Sequence, residues 1–321
     1  MGRVMGADMD LTIRRYTPED AETWAGFIRT ASNATFLHER GFMDYHADRF
    51  TDHSLIFEND GKTLALLPAN AVGKTLHSHS GLTYGGFLVA PATTAAAMVE
   101  IVSALRPYLR AQGFEVLSYK PSPHIFHTQP SEADLYALIS NGARLVRSDL
   151  AAAIPLAQRL PFSSGRKYGA KKALKARLHI AESADLPSYW GILAEALLNQ
   201  HDAQPTHSLD EITLLQARFP DKIRLFGTFD GDTMLAGTLI FDCGQAVHTQ
   251  YIATSQVGRE HGALDLLMQH LIGEVFAKRS WFSFGISTTN GGQDLNVGLS
   301  RQKEMFGGRS LTFNHYLWNL V

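Results

Sequence analysis

Four stretches of the sequence carry the side chains that could do chemistry. QAVHTQYIA (245–253) alternates as a strand does, with Val247, Thr249 and Tyr251 on one face and His248 and Gln250 on the other. Residues 281–287, WFSFGIS, set Ser283, Gly285 and Ser287 opposite Phe282, Phe284 and Ile286. Two successive strands with a polar, partly glycine-lined face point to a wet cleft, although a satisfied core histidine is the commoner fate of a lone one. SSGRKYGAKKALKAR (163–177) holds Arg166, Lys167, Lys171, Lys172, Lys175 and Arg177 without an acid. A helix starting near Ser164-Gly165 offers unpaired N–H groups and a positive dipole end to a phosphate, with Arg166 and Lys167 beside them; the plainer alternative is a solvated charged face. SQVGREHGALDLL (255–267) leaves a strand, carries Gly258 and Gly262, and opens a helix, an arrangement that can present backbone N–H groups to a pyrophosphate. The corner HSHSGLTYGGFLV (77–89) is either a cramped turn or the wall of a binding cleft. In the second case Gly81, Gly85 and Gly86 let backbone approach a ligand, and His79 and Tyr84 contact it.

Other signatures fail. Ala71-Val72-Gly73-Lys74-Thr75 ends like a phosphate-binding loop, but Pro68 stands where its first glycine is needed, and a strand follows. Neither HExxH nor GxSxG occurs. His77 and His79 share a strand face without a carboxylate or cysteine at ligand spacing, so no metal is expected.

The elements that position these stretches belong to a chain of 321 residues, 45% apolar and 19% charged, with a net charge of -2. That balance gives no general attraction to DNA or a membrane surface, so any polyanion contact must be local. The single cysteine, Cys243, excludes an internal disulfide and fits a buried thiol in a reducing compartment. The opening MGRVMGADMD lacks a signal-peptide core, and no segment reaches the roughly 18 apolar residues of a membrane span, so a cytoplasmic protein is expected.

Thr17-Pro18-Glu19-Asp20 reads as a helix start, with Trp24, Phe27, Ile28 and Ala31 facing the core. Asn59-Asp60-Gly61 reads as a hairpin turn, and 94–112 as a helix closed by Gly113. Later come a helix over 186–200 with a stripe of Trp190, Leu193, Ala194 and Leu197, and a capping box at Ser208 and Glu211. A long amphipathic helix over 259–278, a strand, a helix over 294–306 and a last strand over 310–318 follow. Strands and helices alternate as in a mixed α/β protein, and the order of helix, antiparallel strands, helix and strand occurs twice.

The blocks 33–50, 67–86, 120–135, 166–180, 207–212, 248–253 and 282–309, taken in order, resemble the tandem, Fem-like branch of the GNAT superfamily of acyltransferases. The kind resembled is associated with bacterial surface-polysaccharide synthesis. The resemblance implies two GNAT-like domains, 1–157 and 158–321, each a mixed, mostly antiparallel sheet flanked by helices, with the basic helix at their junction. It implies direct transfer of an acyl group, acetyl from acetyl-CoA in the first place, to the amine of a nucleotide-linked amino sugar, without a covalent intermediate or a metal. The GNAT coenzyme motif runs Q/R-x-x-G-x-G/A; Arg259-Glu260-His261-Gly262 fits it and Leu264 departs from it, making Arg259, Gly262 and Ala263 the coenzyme residues. His248 is the implied base and His207, in the acceptor loop, its rival. His79, Tyr84, Arg166, Lys167 and Gln250 are the implied substrate contacts. Fem relatives take aminoacyl-tRNA instead of acyl-CoA, so transfer from tRNA to a peptidoglycan precursor is the alternative, and a nucleotide-sugar-binding module without catalysis is another.

Overall fold

A computed structural model describes residues 9–201 and 205–321, except the side chains of 199–201. The opening segment 1–8, read above for targeting signals, lies outside the described residues. The chain forms two compact units, one of residues up to Ser148 together with Thr312–Val321, the other Asp149–Leu311.

The first unit begins with β1 (Leu11–Arg15), α1 (Ala21–Ile28), α2 (Arg40–Met43), β2 (Thr51–Asp52), β3 (Leu55–Asn59) and β4 (Lys62–Leu67). It continues with β5 (Asn70–Val72), β6 (Thr75–His77), β7 (Leu88–Val89), α3 (Ala95–Ala111), β8 (Val116–Tyr119) and α4 (Ala133–Ser140). Strands β1-β3-β4-β7 form one antiparallel sheet. The expected hairpin joins β3 to β4, with Asp60 and Gly61 both at positive φ as a tight turn of this hand requires. Trp24, Phe27, Ile28 and Ala31 are buried as their spacing predicts. Thr94 caps α3, its hydroxyl accepting from the Ala97 N–H at 3.2 Å. The helix carries the chain between β6 and β8, which pair in parallel, and a parallel pair needs such a crossover. Leu55, Phe57, Leu67, Phe87, Ile101, Leu105, Leu117 and Trp318 are among the fully buried side chains of this core.

From β9 (Arg144–Pro155) the chain enters the second unit: α5 (Ser164–Lys175), β10 (His179–Ser183), α6 (Leu186–His201), α7 (Leu209–Arg218) and β11 (Ile223–Asp230). Then come β12 (Thr233–Asp242), β13 (Ala246–Thr254), α8 (Gln256–His261), α9 (Ala263–His270), β14 (Trp281–Ile286), β15 (Thr288–Thr289) and β16 (Asp294–Leu295). α10 (Val297–Met305) and β17 (Arg309–Asn319) close the list, and the end of β17 pairs with β8 in the first unit. The sheet of the second unit runs β10-β11-β12-β13-β14-β9, antiparallel throughout except for β13 and β14. Ser208 and Glu211 form the expected capping box, and Cys243 is a free, buried thiol.

Two helices differ from their sequence reading. The face that α6 buries is Leu186, Tyr189 and Leu193, one position round from the expected stripe, and Ala194 is exposed. The helix expected over 259–278 is broken at Gly262, whose φ of 72° ends α8 and restarts the chain as α9. A side chain at Gly262 would overlap the carbonyl of Gly169 in α5. The break therefore lets α5 cross the junction at backbone contact, which only glycine permits. No helix among the described residues is long and apolar enough to cross a membrane.

Candidate functional site

β13 and β14 pair in parallel only from Ala246 to His248 against Trp281 to Ser283, and the ladder stops there. Two irregularities accompany the stop. β13 shifts register against β12 at Gln250, and β14 shifts against β9 between Ser283 and Gly285, where Gly285 takes a φ of 68°. The strands diverge beyond these bulges, and a cavity of about 480 Å³ opens beside them. Residues 249–254 of β13 form one wall; Phe284, Ile286, Leu299, Lys303 and Phe306 form the other, and Leu193 and Leu197 of α6 contribute a third side. Among the described residues its lining contains Arg166, Arg259 and Lys303 and no acidic residue.

Lys303 is the least expected of these. Only 5% exposed, its ammonium donates to the carbonyl oxygens of Gly285, at 2.9 Å, and Ile286. Burial without a carboxylate partner pushes it down to about 7. His248, the expected base, is buried behind the wall, with Nδ1 3.1 Å from the Ser283 hydroxyl. Burial, and then the Lys303 charge, hold it neutral down to about 4, so it is a poor proton acceptor near neutral pH. His207 is connected to the cavity through Tyr251, a lining residue. The Tyr251 hydroxyl accepts from the His207 backbone N–H at 3.2 Å and lies 2.7 Å from Nδ1 of the same histidine. The hydroxyl also meets the side chains of Gln250 and Thr206, and it donates to Nδ1 in the tautomer whose proton sits on Nε2. The edge of Trp190 packs on the Tyr251 ring and fixes it.

The remaining sequence candidates scatter. Gln250 lines the cavity from the bulge. Arg166 lines it too, but its guanidinium is engaged, donating to Asp265 at 2.7 Å and lying 4.3 Å from the Phe306 ring centre. Lys167 faces a separate groove of about 530 Å³ with Arg159 and Phe162, because successive helix residues point about 100° apart. The two cations read as one anion site are therefore split. Arg259 lines the main cavity and a neighbouring one of about 280 Å³, held by bonds to the Thr254 carbonyl and Gln256. Gly262 and Ala263, by contrast, are buried, Gly262 directly against Gly169 of α5, and the run on to Met268 is buried as well. Their amides have no open face for a pyrophosphate, so the coenzyme motif does not fit the group it was read for.

In the first unit the glycine corner is closed by the protein itself. A side chain at Gly81 would overlap the His46 ring, and one at Gly85 the Ser78 carbonyl. Tyr84 is buried, stacked on Phe126 at 4.5 Å with its hydroxyl 3.2 Å from that of Thr35. His79 is buried in a stack with His46, at a φ of 66°. Packing, rather than an open ligand surface, accounts for both. No cluster of three or more potential metal ligands occurs among the described residues.

Lys303 and Tyr251 lie in the Fem-like blocks 282–309 and 248–253 but are not among the residues that the resemblance singles out there. The one sequence signal for Lys303 is its place among Leu299, Ser300 and Phe306 on the inner face of α10, where an amine is out of keeping.

No family model matches the sequence, nor does any curated protein. Solved structures do. FemX aligns over 96% of this chain and 97% of its own, with a TM-score of 0.69 at 11% identity. L-PGS from Bacillus licheniformis aligns over 95% and 92%, with 0.59 at 15% identity. A tandem GNAT protein from the clavulanic acid biosynthesis pathway aligns over 97% and 99%, with 0.50 at 12% identity. At these identities the likeness is one of fold: the chain is a mixed α/β protein with the tandem GNAT-like architecture of these neighbours.

Proposed function

We propose that the chain is an acyltransferase that moves an acyl group from an activated ester to an amine in the cavity where β13 and β14 diverge. The observation that carries this reading is the divergence itself. It frees strand-edge N–H groups beside a cavity whose wall holds a buried cation and, among the described residues, no acid. A carbonyl laid along that edge becomes an oxyanion on attack, and preorganised N–H groups with the Lys303 ammonium stabilise it. In this reading the amine forms the new C–N bond, the amine's proton passes to the Tyr251 hydroxyl and on to His207, and as the ester C–O bond breaks a proton returns by the same route to the departing oxygen. No covalent intermediate is required.

The donor we favour is an aminoacyl ester carried on RNA, the alternative to acetyl-CoA among the donors that the Fem resemblance offers. Burial of Gly262 and Ala263 removes the grip expected on a coenzyme pyrophosphate. One observation favours the other reading, acetyl transfer from acetyl-CoA to a nucleotide-linked amino sugar of a surface glycan. The cavity of about 280 Å³ beside Ser255–Arg259 adjoins the main one and could take a diphosphate.

Thermal melting with each donor decides between them. A hydrolysis-resistant 3′-aminoacylamino-adenosine should raise the melting temperature, while acetyl-CoA leaves it unchanged. The reverse pattern would move the donor to coenzyme A. Turnover of charged tRNA with amine acceptors, followed by mass spectrometry, tests the transfer itself.

A further inference from the structure

We propose that Lys303 is a nucleophilic amine and a site of self-acylation, to which small activated acyl esters entering the cavity transfer their acyl group. An uncharged amine has two N–H donors and one lone pair. In this protein two carbonyls, of Gly285 and Ile286, take two donors, which leaves one position of Nζ unused by them, and Lys303 is itself a wall residue of the cavity. Among the described residues no carboxylate pairs with it, so the charged form has two carbonyl dipoles and no counter-charge. Burial accordingly keeps a large share of Nζ unprotonated at neutral pH, whereas an ordinary lysine titrates near about 10.4. The cavity of about 480 Å³ has the volume for an aryl ester, and Phe284, Ile286 and Phe306 in its wall give the acyl chain apolar contact.

The step balances without a co-reactant. The Nζ lone pair attacks the ester carbonyl, a C–N bond forms, the C–O bond to the leaving group breaks, and the phenolate departs while the amine proton goes to solvent. The product is a stable amide that carries no charge and occupies the cavity. An acyltransferase holding donor without acceptor would in this way switch itself off. The inference needs only the amine and its cavity, and stands whichever donor serves the natural reaction.

The test uses the full chain and p-nitrophenyl acetate at substoichiometric dose, with peptide mass mapping of acetylated lysines. Lys303 should be acetylated roughly tenfold faster than exposed lysines such as Lys171 and Lys175, with a rate that reaches half its maximum close to pH 7. Lys303→Arg should remove the fast phase of phenolate release and leave the slow one. Label spread over the exposed lysines with Lys303 unmodified would overturn the proposal. So would a Lys303 rate still climbing above pH 9. Because labelling is read on the unaltered protein, a poorly folding variant leaves the result intact.

Discussion

Each unit contains a lysine whose amine is tied to the carbonyls of a loop, and the two have different surroundings. In the first, Lys120 reaches the Leu82 carbonyl at 2.5 Å and the Ser80 carbonyl at 3.5 Å, and so clasps the glycine corner shut. In the second, Lys303 clasps the bulge of β14 but also lines a cavity. Burial lowers both, to about 8 and about 7. The same device fastens backbone in one place and, in the other, leaves an amine in reach of a ligand. What separates a structural lysine from a chemical one here is the adjoining space.

That contrast can be broken by replacing each with methionine. Lys303→Met should lower acyl transfer by roughly 10²–10³-fold, and Lys120→Met by less than about tenfold, in steady-state assays. Stability should move the other way. An amine lowered from 10.5 to about 7 by burial weakens the fold progressively as pH falls through that window, so methionine at 303 removes a cost at neutral pH. A gain on the order of 2 kcal/mol in urea unfolding at pH 7 is expected, and a loss of stability would place the clasp above the charge in importance. Tyr251→Phe should cost about 10²-fold in turnover with little change in melting; equal loss of both would make the phenol a packing group.

The backbone gives a second contrast within the second unit. Gly262→Ala meets Gly169 and a left-handed φ together, and should destabilise by roughly 3 kcal/mol or more. Gly231→Ala has the strained φ but no atom within 4 Å, and should cost only about 1 kcal/mol. The smallest effect concerns acid. His38 and His79 of the first unit are held by burial at about 4 and about 3, against 6.5 in the unfolded chain. Rings kept neutral in the fold leave stability intact above pH 6.5 and lose it as the unfolded chain takes up protons below, at up to about 1.4 kcal/mol per ring per pH unit. His79→Asn, which tolerates the positive φ, should shift the acid unfolding midpoint down by a few tenths of a pH unit. An unchanged midpoint would assign acid lability to other groups.

What was legible in the sequence was local. The cap at Ser208, the hairpin at Asp60-Gly61 and the buried face of α1 each rest on residues a few positions apart, and the structure contains them. The mixed α/β class followed from their order. The cavity lies off the face that alternation points to: Ser283, Gly285 and Ser287 of β14 are not in its lining, which takes Phe284 and Ile286 from the opposite face, because the bulges re-aim side chains and strict alternation cannot show where. Lys303 reaches the cavity because α10 packs under Gly285, 18 residues away in sequence, and no short motif records that. Arg166 looked free because its partner Asp265 lies 99 residues on. The glycines at 81, 85 and 86 say only that something comes close; the structure identifies it as the protein itself.

The short parallel ladder between β13 and β14 has a consequence for how the second unit breathes. Three residue pairs join β10-β11-β12-β13 to β14-β9, whereas β11 and β12 share eight. Backbone amides on the two sides of that seam should therefore exchange with deuterium as two blocks, each cooperative in itself. The amides of Ala246–His248 should open first, without loss of the β11-β12 ladder. A site built at a seam of this kind can widen to admit a bulky donor at the expense of a few hydrogen bonds, leaving the remainder of the sheet as a rigid reference frame.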